Sequence, residues 1–151
     1  MTSYKFTGIL LSIILFSLFA CTSTKESTKI EKEVQYSYTK HNVKYLDLKV
    51  GGGNSPKIGD RVTINTKVMT EDGTVLEDTF TQGEPSSFVL YDIDSNKLEV
   101  IRGLADGIMT MKEGGKRKLW VPADMGFGSR RHSSIPGNST LIIIIELLDI
   151  K

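Results

Sequence analysis

Residues 141–145, Leu-Ile-Ile-Ile-Ile, most constrain what this chain can fold into. They belong to a longer segment, residues 140–150, whose composition predicts a strand. Successive side chains of a strand point to opposite faces of a sheet, so an unbroken apolar run leaves neither face polar. The run therefore predicts a strand at the centre of a sheet that is covered on both sides.

A second apolar pattern has the period of a helix. Five residues recur at i, i+3, i+4, i+7 and i+10, namely Ile101, Leu104, Ala105, Ile108 and Met111. They form one apolar stripe, which is typical of a short amphipathic helix. Gly103 and Gly107 each weaken such a helix by about 1 kcal/mol relative to alanine, so it needs a surface to lie on.

Further strands surround this helix in the sequence. Residues 61–69 alternate, with Val62, Ile64, Thr66 and Val68 on one face. Glu-Asp-Gly-Thr at 71–74 predicts a hairpin, and Asp-Gly favours the primed turns. Residues 43–50, the segment from Val75, the neighbours of Phe88, and residues 116–121 are also strand-like. The pattern predicts an α+β domain in which an antiparallel sheet wraps around one short helix.

The N-terminus has the pattern of an export signal. Lys5 precedes an apolar run, residues 6–20, that is shorter than the roughly 20 residues a permanent membrane-spanning helix needs. Leu-Phe-Ala-Cys at its end resembles a bacterial lipobox, in which Cys21 is lipidated and becomes the mature N-terminus. An ordinary cleaved signal or an uncleaved anchor with a chance cysteine is the alternative. The resemblance implies a lipid anchor in the membrane, facing the periplasm or the cell surface. The residue after the cysteine is Thr22, whereas an aspartate there would signal retention in the inner membrane. The outer membrane is therefore favoured.

The mature chain divides into a tether and one domain. Residues 1–20 form the predicted signal, residues 21–40 are a polar tether, and residues 41–151 contain the periodic apolar sequence. Lys5 is the only charged residue of the signal, so its removal leaves 18 basic and 18 acidic side chains. Zero formal charge argues against a nucleic-acid partner, whose phosphates require a basic surface.

Several segments together resemble the FKBP family of peptidyl-prolyl isomerases, from about residue 43 to residue 150. They are Val-Ile-Arg-Gly-Leu at 100–104, Gly107-Ile108 with Met111, Gly-Gly-Lys-Arg-Lys-Leu at 114–119, Val-Pro-Ala-Asp-Met-Gly-Phe-Gly at 121–128, Ile-Pro-Gly-Asn-Ser-Thr-Leu at 135–141 and Glu-Leu-Leu at 146–148. Each segment alone is a weak signal, but their order and spacing are specific. The resemblance implies a fold of one sheet on one helix and binding of proline-containing polypeptides. It implies no metal and no cofactor.

The resemblance also assigns a proline pocket. It implies catalytic roles for Glu77, the backbone N–H of Ile101, and Phe127. The substrate-binding lining would be Thr66, Leu76, Ser86, Val100, Leu104, Ile135 and Ile143. Several positions depart from the family pattern, which has aromatic residues at 66, 76, 86, 104 and 143, a tyrosine at 127 and an aspartate at 77. Loss of aromatic area predicts weaker proline and macrolide binding, since each ring buries roughly 150–250 Å².

Two functions follow from these residues. One is a prolyl isomerase that assists the folding of exported proteins at the cell envelope, with activity reduced by the altered pocket. The other is a non-catalytic FKBP-like binding module of an envelope complex.

Three features outside the motifs also give expectations. His41 and His132 stand alone in polar contexts and are predicted to be solvated. Trp120 is predicted to pack under the segment that includes residues 36–50. Residues 91–97 form a longer loop than the family has, which favours a tolerated surface insertion over a remodelled pocket rim.

Overall fold

The computed structural model describes residues 34–151; the predicted signal, Cys21 and tether residues 22–33 lie outside them. The strands are β1 (Ser37–Tyr38), β2 (Lys44–Lys49), β3 (Arg61–Thr70), β4 (Val75–Asp78), β5 (Ser86–Val89), β6 (Lys116–Val121) and β7 (Leu141–Ile150). The helices are α1 (Thr79–Gln82) and α2 (Arg102–Met109), followed by a 3₁₀ turn at Ala123–Met125. None of the helices within residues 34–151 has the length and apolarity needed to cross a membrane.

The strands form one antiparallel sheet in the order β1-β2-β6-β7-β3-β4. β5 also pairs with β3, beyond the end of β4. The predicted α+β class and the antiparallel sheet on one main helix are confirmed. The short helix α1 was not predicted, because its four residues, Thr-Phe-Thr-Gln, carry no helical apolar stripe.

β7 is the central strand, as the apolar run predicted, but only one of its faces is fully covered. Leu141, Ile143 and Ile145 are completely buried, whereas Ile142 and Ile144 on the other face are half-buried. The prediction of cover on both sides is therefore wrong for the outer face. Helix α2 lies against the inner face alone, and branched residues are also favoured in strands for their fit to a pleated surface.

The two glycines of α2 bring the helix close to β6. A Cβ atom at Gly103 would lie 2.3 Å from Cγ1 of Val121, and one at Gly107 would lie 2.4 Å from Cδ1 of Leu119. Any side chain at these positions would push the helix away from the sheet. The low helix propensity of glycine is thus offset by close packing of the two elements.

Arg117 ties β2, β6 and α2 together from a buried position. Its guanidinium donates to both carboxylate oxygens of Asp47, at 2.6 and 3.0 Å, and to the carbonyl oxygen of Gly107 at 2.9 Å. It also donates to the hydroxyl of Thr110 at 2.5 Å and stacks over the ring of Tyr45. The Arg117 side chain is buried, so its N–H donors bind fixed protein acceptors in place of water.

A second polar contact joins the segment around β1 to α2. Asp106 is buried and accepts a hydrogen bond from the hydroxyl of Thr39, while Nδ1 of His41 lies 2.8 Å from its other oxygen. His41 is therefore only partly exposed, and the prediction that it is simply solvated is wrong. Thr39 and β1 belong to the segment assigned from sequence to the tether, yet here they pair with β2 and α2.

The β3–β4 hairpin forms at the predicted residues with a different turn. Gly73 has φ 87°, but Asp72 does not, since non-glycine residues with positive φ within residues 34–151 are Asn42, Ser133 and Asn138. The N–H of Gly73 donates to the carbonyl oxygen of Thr70, so Glu71 and Asp72 are the central residues of the turn. Both primed turn types need positive φ at the first central residue, and Glu71 does not have it, so this prediction is wrong. The Asp72 carboxylate instead accepts from the hydroxyl of Thr70 and from the N–H of Thr74. These bonds lower its pKa below the ordinary value.

Candidate substrate pocket

An apolar cavity of about 530 Å³ opens between the start of α2 and the inner face of the sheet. Its walls come from β3, β4, β7, the segment before α2 and the loop after β6. The lining residues are Val68, Leu76, Glu77, Leu98, Glu99, Val100, Ile101, Leu104, Phe127, Ile135 and Ile143. Apolar side chains dominate this set, and such a cavity removes water from whatever it binds.

Most of the predicted site residues meet in this cavity. They are Leu76, Glu77, Val100, Ile101, Leu104, Phe127, Ile135 and Ile143. Thr66 and Ser86 do not line it. Thr66 is buried in β3, where its hydroxyl lies 3.4 Å from Oε1 of Glu77, and Ser86 pairs with Ile64 at the start of β5. A hydroxyl side chain at either position is too short to take the place of the family's ring.

The structure adds Val68, Leu98 and Glu99 to the lining. Val68 follows Thr66 on the same face of β3, so the alternation that identified this face also contained the signal for Val68. Leu98 and Glu99 directly follow the longer loop. The loop is anchored by the buried side chain of Ile93. None of residues 91–97 lines the cavity itself, so a tolerated surface insertion stays a prediction, while the two residues that follow the loop form part of the pocket wall.

The first turn of α2 presents a backbone donor at the cavity. Ile101 precedes the helix with φ −62° and ψ 146°, and its carbonyl oxygen accepts from the N–H groups of Leu104 and Ala105. Its own N–H donates to no acceptor among residues 34–151. A carbonyl oxygen of a bound chain is a suitable partner for such a free donor at a helix start.

Phe127 and His132 form a stacked pair at the cavity mouth. Their ring centroids lie 4.6 Å apart and their planes differ by 7°. His132 also exchanges backbone hydrogen bonds with Ile135, which closes the loop between them. His132 is exposed, as predicted. Its stacking on Phe127 was not predicted, because a contact across a loop leaves no periodic signal in the sequence.

The polar edge of the cavity is Glu77 with Glu99. Both residues are exposed, and among residues 34–151 the carboxylate of Glu77 accepts only the long contact from the Thr66 hydroxyl. In the part of the chain that the structure describes, no group of three His, Cys, Asp or Glu residues is arranged to hold a metal. The arrangement suits a reaction that needs desolvation and hydrogen bonding.

The chain is similar to proteins of one family. The model of that family, FKBP-type peptidyl-prolyl cis-trans isomerase, matches residues 52–148. FkpA of Escherichia coli, an FKBP-type peptidyl-prolyl cis-trans isomerase, is 37% identical over 127 residues, which are 84% of this chain and 44% of that protein. FK506-binding protein 4 of Neurospora crassa is 43% identical over 105 residues, 70% of this chain and 21% of that protein.

A solved structure agrees with these relatives. The crystal structure of FkpA from Escherichia coli superposes with a TM-score of 0.70 at 36% identity, covering 80% of this chain and 53% of that one. The chain thus spans less than half the length of the curated relatives reported above.

Proposed function

The chain belongs to the family of FKBP-type peptidyl-prolyl cis-trans isomerases, and from this we propose that it isomerises X-Pro bonds in exported polypeptides at the cell envelope. The observation that carries the proposal is the apolar cavity with the free N–H of Ile101 at its wall. The chain's clients are unfolded or partly folded segments that expose proline.

Prolyl isomerisation makes and breaks no covalent bond. The amide must rotate through a barrier of about 18–20 kcal/mol, and unaided it takes tens to hundreds of seconds. A protein lowers this barrier by binding the twisted amide better than the planar one. The cavity removes water from the proline ring, and removal of water weakens the resonance that keeps the amide planar.

The pocket residues divide this work. The N–H of Ile101 donates to a substrate carbonyl. Val100 and Leu104 hold the proline ring from the helix side. Phe127 and Ile135 close the mouth of the cavity. Glu77 stands at the polar edge, where it accepts hydrogen bonds from substrate N–H groups. We expect slow turnover and weak macrolide binding, because Leu104 and Ile143 present less flat area than aromatic rings do.

The first prediction concerns Phe127. The membrane-extracted full chain should accelerate exchange of a proline peptide in a protease-free NMR assay, and Phe127→Tyr should raise kcat/KM by no more than about tenfold, through one added hydrogen bond. Phe80→Tyr, which adds a hydroxyl to a ring that does not line the cavity, is the matched control and should change nothing. A folded chain with no activity, in which Phe127→Tyr is equally silent, supports the non-catalytic binding module instead.

We further propose that lipid on Cys21 holds the protein to the envelope, with the outer membrane favoured. The Leu-Phe-Ala-Cys sequence supports this. Cys21→Ser should leave unprocessed precursor or release the protein into the soluble fraction, whereas Ser23→Ala should remain membrane-bound. Mass spectrometry that finds an unmodified cysteine in mature membrane-bound protein would contradict the anchor.

A further inference from the structure

The outer face of the sheet, on the side away from α2, carries lysines and aromatic rings. Arg117, Leu119 and Val121 point into the core, so the residues between them point outward. On the β2 side, strand pairing places Lys44 beside Trp120. On the β7 side, it places Ile142 beside Trp120 and Ile144 beside Lys118. We use "outer face" for this surface, made of Tyr36, Lys44, Lys116, Lys118, Trp120, Ile142 and Ile144.

The aromatic rings of this face are in contact with its lysines. The Trp120 ring packs edge-on against Tyr36 with centroids 5.4 Å apart, which confirms the prediction that Trp120 packs against this segment. The ammonium of Lys44 lies 3.8 Å from the Tyr36 centroid, and that of Lys118 lies 4.7 Å from the Trp120 centroid. Cation and ring are therefore presented together at one surface.

The charge of the outer face is positive. Lys44, Lys116 and Lys118 form no salt bridge with any residue in 34–151. Glu146 is the neighbour of Lys116 on β7, but their side chains form no salt bridge. Lys67, further across the sheet, is neutralised by Asp78 at 3.0 Å. Lys44 and Lys118, without a carboxylate partner among these residues, thus flank a half-buried apolar centre formed by Trp120, Ile142 and Ile144. The ammonium of Lys116, equally without a carboxylate partner there, lies 4.5 Å from the centroid of the Phe80 ring.

We infer that the outer face docks on a lipid surface that carries anionic headgroups. Tryptophan and tyrosine rings suit the boundary between headgroups and acyl chains, and lysines near such a surface are attracted to its negative charge. The outer face of the sheet is broad, and a broad surface fits a bilayer better than it fits a narrow groove in a partner protein. The inference rests on the membrane location in the proposed function and is independent of isomerase activity.

The course of the chain favours a membrane over an acidic protein. The described residues begin at Val34, two residues before Tyr36 on the outer face. The residues between Cys21 and Val34 span at most roughly 45 Å when fully extended. A domain attached at Cys21 would therefore hold this face within reach of the bilayer.

The single tryptophan of the chain makes the inference directly testable. The full chain is reconstituted into vesicles of phosphatidylcholine, with or without phosphatidylglycerol, so that its own anchor holds it in both. Trp120 emission should shift to shorter wavelength, and brominated acyl chains should quench it, in the anionic vesicles only. Added salt should reverse both effects, because it screens exposed charges.

Variants separate charge from structure. Lys44→Gln, Lys116→Gln and Lys118→Gln combined should weaken docking roughly 100-fold, given the attraction expected per lysine. The same three positions changed to arginine should retain the response, and so should glutamine at the exposed Lys57, Lys97 and Lys112. Each variant is compared with itself in neutral vesicles, because lysines above the ring affect its emission directly.

Two results would overturn the inference. One is equal Trp120 emission and quenching in neutral and anionic vesicles. The other is a response to soluble polyglutamate but not to anionic vesicles, which would assign the outer face to an acidic protein. Isomerase activity of the same samples in detergent reports separately on the proposed function, so failure of one does not imply failure of the other.

Discussion

Arg117→Ala is expected to destabilise the domain by about 3 kcal/mol, and to lower its melting temperature by roughly 10–20 °C. The substitution removes both bonds to Asp47 and leaves the carbonyl of Gly107 and the hydroxyl of Thr110 without their donor. Asp47 is partly exposed and recovers some solvation, so the loss stays at the lower end for a broken buried pair. Thermal and urea unfolding measure it.

Matched variants identify the cause of this loss. Arg130→Ala removes the same side chain from an exposed position and should change stability by less than about 0.5 kcal/mol. Arg117→Lys keeps the charge but lacks the planar fork, so it should recover only part of the stability. If Arg117→Ala unfolds like the unaltered protein, the contacts with Asp47 and α2 do not stabilise the domain.

Ile101→Pro is expected to lower kcat/KM about tenfold relative to Ile101→Ala, because it removes the backbone donor that Ile101 offers at the cavity wall. The native φ of −62° suits a proline ring, and no hydrogen bond among the described residues depends on this N–H. The alanine variant loses the same side chain but keeps the donor, so comparing the two isolates the N–H. NMR exchange of a proline peptide is the measurement, at temperatures where both variants are folded.

Equal activity of Ile101→Pro and Ile101→Ala would show that the substrate carbonyl finds its donor elsewhere. A higher KM for Ile101→Pro with unchanged kcat would show that the N–H contributes to binding of the ground state. A fall in kcat would assign it to the twisted amide.

Much of the fold was predictable because its signals are local. The run at 141–145, the stripe of α2 and the alternation in β3 each follow from burial of one face of one element. The outer cover of β7 was not predictable from the same run, since branched residues are favoured in strands whether one face is buried or two. Contacts between distant residues, such as Asp106 with His41, have no periodic signature.

The candidate site shows the same division. Residues within the strongest motif, such as Val100 and Ile101, line the cavity because the segment itself fixes their geometry. Thr66 and Ser86 were carried over from positions where larger rings reach the cavity, and their short side chains do not reach it. Leu98 and Glu99 follow an unusual loop, whose path depends on the burial of Ile93 and on no local pattern.

The central position of β7 also determines when the domain folds. β7 follows every other strand of the domain in sequence, yet it separates β6 from β3 in the sheet. Until residues 141–150 emerge from the ribosome, neither β6 nor β3 has this partner, and contacts this distant in sequence form slowly. The nascent domain should therefore stay unfolded through nearly all of its synthesis, which is the state that the export proposed above requires of a polypeptide.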